Sequence, residues 1–135
     1  MKERITALLL HGRGDSAASL KQALEDQAME VFWVRDCQEA STLLLGADAP
    51  HLVFTEIDLP DGTWADVVKL AGKSQKHVNV IVVARWPDMK FYLNTIVSGA
   101  FDFIVPPLTG DELGHVVRCA VANASSCREV QALNA

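Results

Sequence analysis

The stretch RITALLLHGRGDSAASLKQAL, residues 4–24, changes its apolar rhythm halfway along. Residues 5–10 form an almost unbroken apolar run, the pattern of a strand buried on both faces. After His11, Gly12, Arg13 and Gly14, apolar residues return at helical spacing, with Leu20, Ala23 and Leu24 three and four positions apart. A buried strand thus feeds a helix through a glycine-rich turn, and in open α/β sheets ligands and catalytic groups gather at that end of the strand.

The same unit recurs. Residues 30–34, 51–55, 78–84 and 101–105 are further strand candidates, and VNVIVVA, the most continuous, is the most central. Helical patterns lie between them. The clearest is the last, where Leu113, Val116, Val117, Ala120 and Val121 make an i, i+3, i+4, i+7, i+8 stripe behind the capping box Thr109-Gly-Asp-Glu. Five such pairs of short period require crossover connections, hence an α/β fold with a parallel sheet and helices on both faces.

Composition narrows the function classes. A chain of 135 residues, half of them hydrophobic, forms one domain with a real core. Its 12 basic and 17 acidic residues give a net charge of −5, which argues against direct nucleic-acid binding by this domain. Cys37, Cys119 and Cys127 have no metal-type spacing and read as reduced thiols. The apolar run at 5–10 is too short for a signal peptide or a membrane span, so a cytoplasmic protein is expected.

Two further stretches carry a family resemblance. PHLVFTEIDLPDGTWADVV, residues 50–68, is similar to the third strand and Leu-Pro-Asp-Gly turn of the receiver domains of two-component response regulators, with Pro50, Leu52, Val53, Leu59, Pro60, Asp61 and Gly62 in step. SGAFDFIVPPL, residues 98–108, resembles the family's Gly-Ala-x-Asp-Tyr/Phe-x-x-Lys-Pro-Phe segment. The resemblance covers residues 4–124. It implies a flavodoxin-like (βα)5 doubly wound sheet of strand order 2-1-3-4-5, a receiver-like domain over 1–124, and a C-terminal helix extension or linker over 125–135 with an effector domain possible beyond it.

Carried over residue by residue, the family's phosphotransfer site has lost its functional groups. Glu56 stands where the phosphoacceptor aspartate belongs, and its extra methylene displaces the carboxylate from in-line attack. His11 and Gly12 replace the acidic pair that holds Mg²⁺. Ala84 replaces the hydroxyl residue and Pro106 the lysine. The resemblance therefore implies a degenerate receiver, not an enzyme and with neither metal nor cofactor, that signals by protein–protein contact independently of phosphorylation. A weakly active phosphoacceptor and a flavodoxin-like enzyme remain as alternatives.

A carboxylate at a buried strand end must be satisfied. Glu56 is expected either to form an internal ion pair with Arg13, Arg85 or His11, or to share its crevice with a small anion or nucleotide bound by the turn from Gly12 to Gly14. Asp61 in Pro-Asp-Gly suits a turn that bonds its own backbone. Asp58, whose position gives the metal a backbone carbonyl in the family, is expected to face solvent. Trp64 and Trp86 pack in the core or rim, or else cover the crevice. His51, His77 and His115 show no triad or ligand spacing.

The resemblance also places a partner surface, for another protein or for self-association, on the helix-four, strand-five, helix-five face. Phe103 matches the family's switching aromatic. Phe91 and Tyr92, adjacent on helix four, point about 100° apart, so one of them is expected to be exposed. The Pro106-Pro107 bond, aligned with the family's Lys-Pro peptide, is expected to be cis at Pro107.

Overall fold

A computed structural model describes residues 4–11 and 15–134. Five parallel strands, β1 (Thr6–Leu10), β2 (Glu30–Val34), β3 (Leu52–Glu56), β4 (Asn79–Val83) and β5 (Asp102–Ile104), form one sheet in the order β2-β1-β3-β4-β5. This is the expected fold and strand order, with strand ends shifted by a residue or so. Five helices alternate with the strands: α1 (Asp15–Glu25), α2 (Cys37–Leu44), α3 (Trp64–Gly72), α4 (Met89–Val97) and α5 (Gly110–Leu133). A two-rung antiparallel ladder, Asp58–Leu59 against Gly62–Thr63, closes the turn after β3.

Strand alternation sorts the core into layers. Leu9, Phe54 and Ile81 face α1 and α5, where they meet Leu20, Leu24, Leu113, Val117 and Ala120. Leu8, Leu10, Val53 and Val80 face the other way, onto Ala40 and Leu44 of α2 and Val67 and Ala71 of α3. All five residues of β4 are buried, as its continuous apolar run requires. Val82 adds a third cluster with Trp64 and Ala100, against which Phe91 and Phe103 pack.

The helix ends follow the local chemistry. Asp36 caps α2, Thr63 and Asp66 form a capping box on α3, and Asp88 caps α4. Gly99, at φ +113°, turns the chain out of α4 in a conformation that disfavours a side chain. Thr109 and Glu112 exchange hydrogen bonds of 3.1 and 3.2 Å at the start of α5, the capping box read in the sequence.

Helix α5 then continues past the sheet. Arg128 holds its far end, donating from Nε to the His77 carbonyl at 2.9 Å and from one terminal nitrogen to the Pro50 and Ala49 carbonyls at 2.7 and 3.2 Å. Nearby, the buried Asn79 amide donates to the Ala120 carbonyl at 2.9 Å and to Asn123 at 3.0 Å. The His77 amide donates to the Gln131 side chain at 2.8 Å. The carbonyls that Arg128 satisfies lie at the amino-terminal ends of β3 and β4.

Candidate functional site

The strand order brings β1, β3 and β4 side by side, and the direction in which successive strands are added to the sheet reverses between β1 and β3, where crevices open in such sheets. Leu10 pairs in register with Thr55, and Glu56 with Val83. His11, one residue beyond β1, therefore meets Glu56 at the end of β3. Its Nδ1 lies 2.6 Å from Glu56 Oε1, with both side chains partly buried. A carboxylate only accepts hydrogen bonds, so the ring nitrogen donates. The backbone behind this contact is also held: the Trp33 indole N–H on edge strand β2 donates to the His11 carbonyl at 2.8 Å, and the Thr55 hydroxyl donates to the Glu56 carbonyl at 2.9 Å.

Of the three cations considered for Glu56, the structure thus brings His11 to it. Arg85 is exposed at the mouth of β4, and Gly12, Arg13 and Gly14, with the alternative of an anion-binding turn that rests on them, lie outside the described residues. Ala84 is buried and presents a methyl group, while its backbone N–H donates to the Ile104 carbonyl at 2.8 Å. Pro106 is partly buried, and the Pro106-Pro107 peptide is cis, as expected. Asp58 is exposed on the short ladder, facing solvent as expected. Trp64 belongs to the core, stacking edge-on against Phe91 at 5.7 Å, and Trp86 is 70% exposed. The packing reading holds for Trp64, whose ring α3 draws into the core, while Trp86 stands out in solvent beyond the last rung of β4 and neither packs nor covers the crevice.

Asp61 does something local turn chemistry did not reveal. Its carboxylate accepts the backbone N–H groups of Cys37 and Gln38, at 2.8 and 3.1 Å, on the first turn of α2. These bonds, that from Cys37 first, hold its carboxyl below the usual aspartate value. Burial, with Asp61, Asp66 and Asp36 nearby, pushes the Cys37 thiol up to about 11. Among the described residues, no group of three or more His, Cys, Asp or Glu side chains is placed to hold a metal ion.

The helix-four, strand-five face is aromatic. Phe103 is partly buried, with ring centroids 5.8 Å from Phe91 and 5.7 Å from Tyr92. The adjacent Phe91 and Tyr92 do diverge, Tyr92 being exposed, yet both reach Phe103 because it lies between their two directions. No helix here is long and apolar enough to cross a membrane, among the described residues.

Residues 13–118 match the response regulator receiver domain. The chain is 30% identical over 117 residues to the two-component response regulator-like protein APRR3 of Arabidopsis thaliana, covering 84% of this chain and 24% of that protein. It is 27% identical over 99 residues to the probable transcriptional regulatory protein y4xI of Sinorhizobium fredii, covering 73% and 43%. With the response regulator protein PilR of Pseudomonas aeruginosa it shares 25% over 118 residues, covering 87% and 26%. The chain thus spans less than half the length of these relatives. Among solved structures, it superposes on the signal receiver domain of an HD domain-containing protein from Pseudomonas fluorescens Pf-5 with a TM-score of 0.82 at 22% identity, covering 96% and 95% of the two chains. A response regulator from Thermotoga maritima gives 0.76 at 22%, covering 89% and 99%. A five-stranded sheet of this order, a carboxylate at the end of β3 and a match over most of its length place the chain in the response regulator receiver domain family.

Proposed function

We propose that this receiver domain signals through protein contact without phosphotransfer. The observation that supports the reading is the 2.6 Å contact between His11 and Glu56. A phosphoacceptor must present a free carboxylate oxygen to an incoming phosphoryl group, whose transfer depends on cations around the moving charge. Here an oxygen of the β3-end carboxylate is already engaged, by a residue standing where the family keeps a metal-binding acid. The buried Ala84 methyl has no hydroxyl to offer, and Pro106 has no ammonium. With neither a hydroxyl at Ala84 nor an ammonium at Pro106 to respond to a phosphoryl charge, the family's usual trigger for a population shift is missing, and Glu56 serves as a structural anchor.

The output surface in this reading is the α4, β5 and α5 face, where Phe91, Tyr92 and Phe103 already form one aromatic cluster. Its partner is another protein or a second copy of the chain. The test is exposure of the full chain to millimolar Mg²⁺ with acetyl phosphate, or with beryllofluoride as an acyl phosphate analogue. The expected result is no acid-labile phosphoprotein and unchanged tryptophan emission, which Trp64 beside the crevice would report. A saturable Mg²⁺-dependent change overturns the proposal.

A further inference from the structure

The two edges of the sheet are finished differently. Strand β5 runs for three residues, opens on Asp102 and is followed by Pro106 and Pro107. Shortness, charge and proline are the devices that keep an edge from recruiting another strand. Strand β2, the opposite edge, runs for five residues as Glu-Val-Phe-Trp-Val, without lysine, proline or bulge. Phe32 is 44% exposed and Trp33 40%, and among the described residues the outer side of β2 pairs with no strand. One bond fixes where its backbone groups point. The Glu30 N–H donates to the Ile5 carbonyl at 3.0 Å, so Glu30, Phe32 and Val34 turn their N–H and C=O groups towards β1, and Val31 and Trp33 turn theirs outward. The side chains divide as well. Val31 packs on the α1 and α5 cluster and Val34 belongs to the α2 and α3 cluster, which puts Trp33 on the first face and Phe32 on the second.

We propose that a second copy of this chain adds its β2 to this edge, the two strands running antiparallel about a two-fold axis at Phe32 to make one continuous sheet. A two-fold contact must be complementary to itself, and in this register the strand meets every requirement alone. Val31 lies opposite Trp33 of the other copy, and Trp33 opposite its Val31. All of these residues present N–H and C=O outward, so each pair exchanges both of its hydrogen bonds. Phe32 meets its own copy on the axis, at the closely spaced position that carries no hydrogen bond. Aromatic–aromatic and aromatic–β-branched pairs are the favourable cross-strand combinations, and this register makes both. Glu30 falls opposite Val34, so no charge meets its like. A foreign strand would have to bring the same apolar side chains to both faces, which β2 itself supplies. The proposal goes beyond the contact reading and does not depend on it: β2 and β5 are opposite edges, so a dimer joined at β2 leaves the α4, β5 and α5 face of each copy open to another protein.

Sedimentation of the full chain under reducing conditions is expected to show a concentration-dependent monomer–dimer equilibrium. Phe32→Lys sets two like charges face to face on the axis and should raise the dimer dissociation constant at least tenfold with the circular dichroism spectrum kept, whereas Val97→Glu on α4 should leave the constant unchanged. In the unsubstituted chain, the backbone amides of Val31 and Trp33 should exchange with deuterium slowly where the dimer forms and rapidly on dilution; this measurement decides the matter should Phe32→Lys fail to fold. In a Cys119→Ser background, Phe32→Cys should oxidise to a disulfide dimer, because facing Cα atoms about 4.5 Å apart suit that bond, and Val31→Cys should not. A monomer at every concentration, a dimer that survives a folded Phe32→Lys or is broken by Val97→Glu, or Val31 and Trp33 amides indifferent to concentration overturns the proposal. None of these outcomes bears on phosphoryl insensitivity, which the beryllofluoride experiment decides separately.

Discussion

The Asp61 carboxylate accepts the Cys37 backbone N–H at 2.8 Å, so the turn after β3 caps a helix that begins 24 residues earlier. Asp36 caps the same helix from within, accepting the Glu39 N–H at 2.9 Å. Between them, three of the four unpaired N–H groups of the first turn are satisfied, and the turn that leads into α3 is tied to the start of α2. Asp61→Asn is expected to lower the melting temperature. Because the folded carboxyl titrates below its ordinary 3.8, the stabilisation is present above that value and is lost as pH falls through the lowered one. Thermal melts should therefore show a constant gap between wild type and variant near neutrality that closes in acid. A gap that widens in acid contradicts the assignment.

Burial first, and the neighbouring Asp61 carboxylate second, silence the Cys37 thiol. With its titration raised from 9.0 to about 11, its thiolate fraction at neutral pH is about a hundredfold below that of an unperturbed thiol. Mass-resolved alkylation at pH 7.5 should modify the exposed Cys119 well before Cys37, and Asp61→Asn should accelerate labelling at Cys37.

Glu56→Gln should lower stability by about 1–3 kcal/mol by weakening a partly buried charged hydrogen bond. His11→Ala should lose a similar amount, and the double variant should reveal a coupling of about 0.5–3 kcal/mol between the two sites in denaturant titrations. Self-association should be unaffected by Glu56→Gln. Full stability with lost self-association would replace the anchor role by a constitutively active one.

Arg128→Met removes three hydrogen bonds to carbonyls of the β3 and β4 entries. A loss of about 1.5–3 kcal/mol is expected. Hydrogen exchange should accelerate in α5 beyond residue 124 and stay unchanged near Thr109.

The five strands and the α5 capping box were legible in the sequence because each rests on periodicity or on residues adjacent in the chain. His11 was one of three candidate partners for Glu56. The register of β1 on β3 brings it to the carboxylate, and register is a tertiary fact. Asp61 escaped because Pro-Asp-Gly already satisfies a local turn reading, so nothing in the string asks for a second use of the carboxylate. Arg128 escaped for the opposite reason: an arginine on a long helix reads as a solvated side chain until the carbonyls of Pro50 and His77, about 50 to 80 residues away in the chain, arrive beneath it. The exposure of Met89, Leu93 and Val97 on α4 was hidden by Phe91, Tyr92 and Thr95, which account for the helix so well that all six look like part of the same core.

Helix α5 is, mechanically, a beam clamped at two points. One clamp is the capping box at Thr109 and Glu112, close to the end of β5; the other is Arg128, under the start of β3 and β4. At about 1.5 Å per residue the clamps are roughly 24 Å apart. A shift of about 1 Å in the loops beneath Arg128 would therefore tilt the whole beam by about 2–3°. A partner touching the Thr109 end of α5 and a partner pressing on the base of the sheet would feel each other through the stiffness of this one rod.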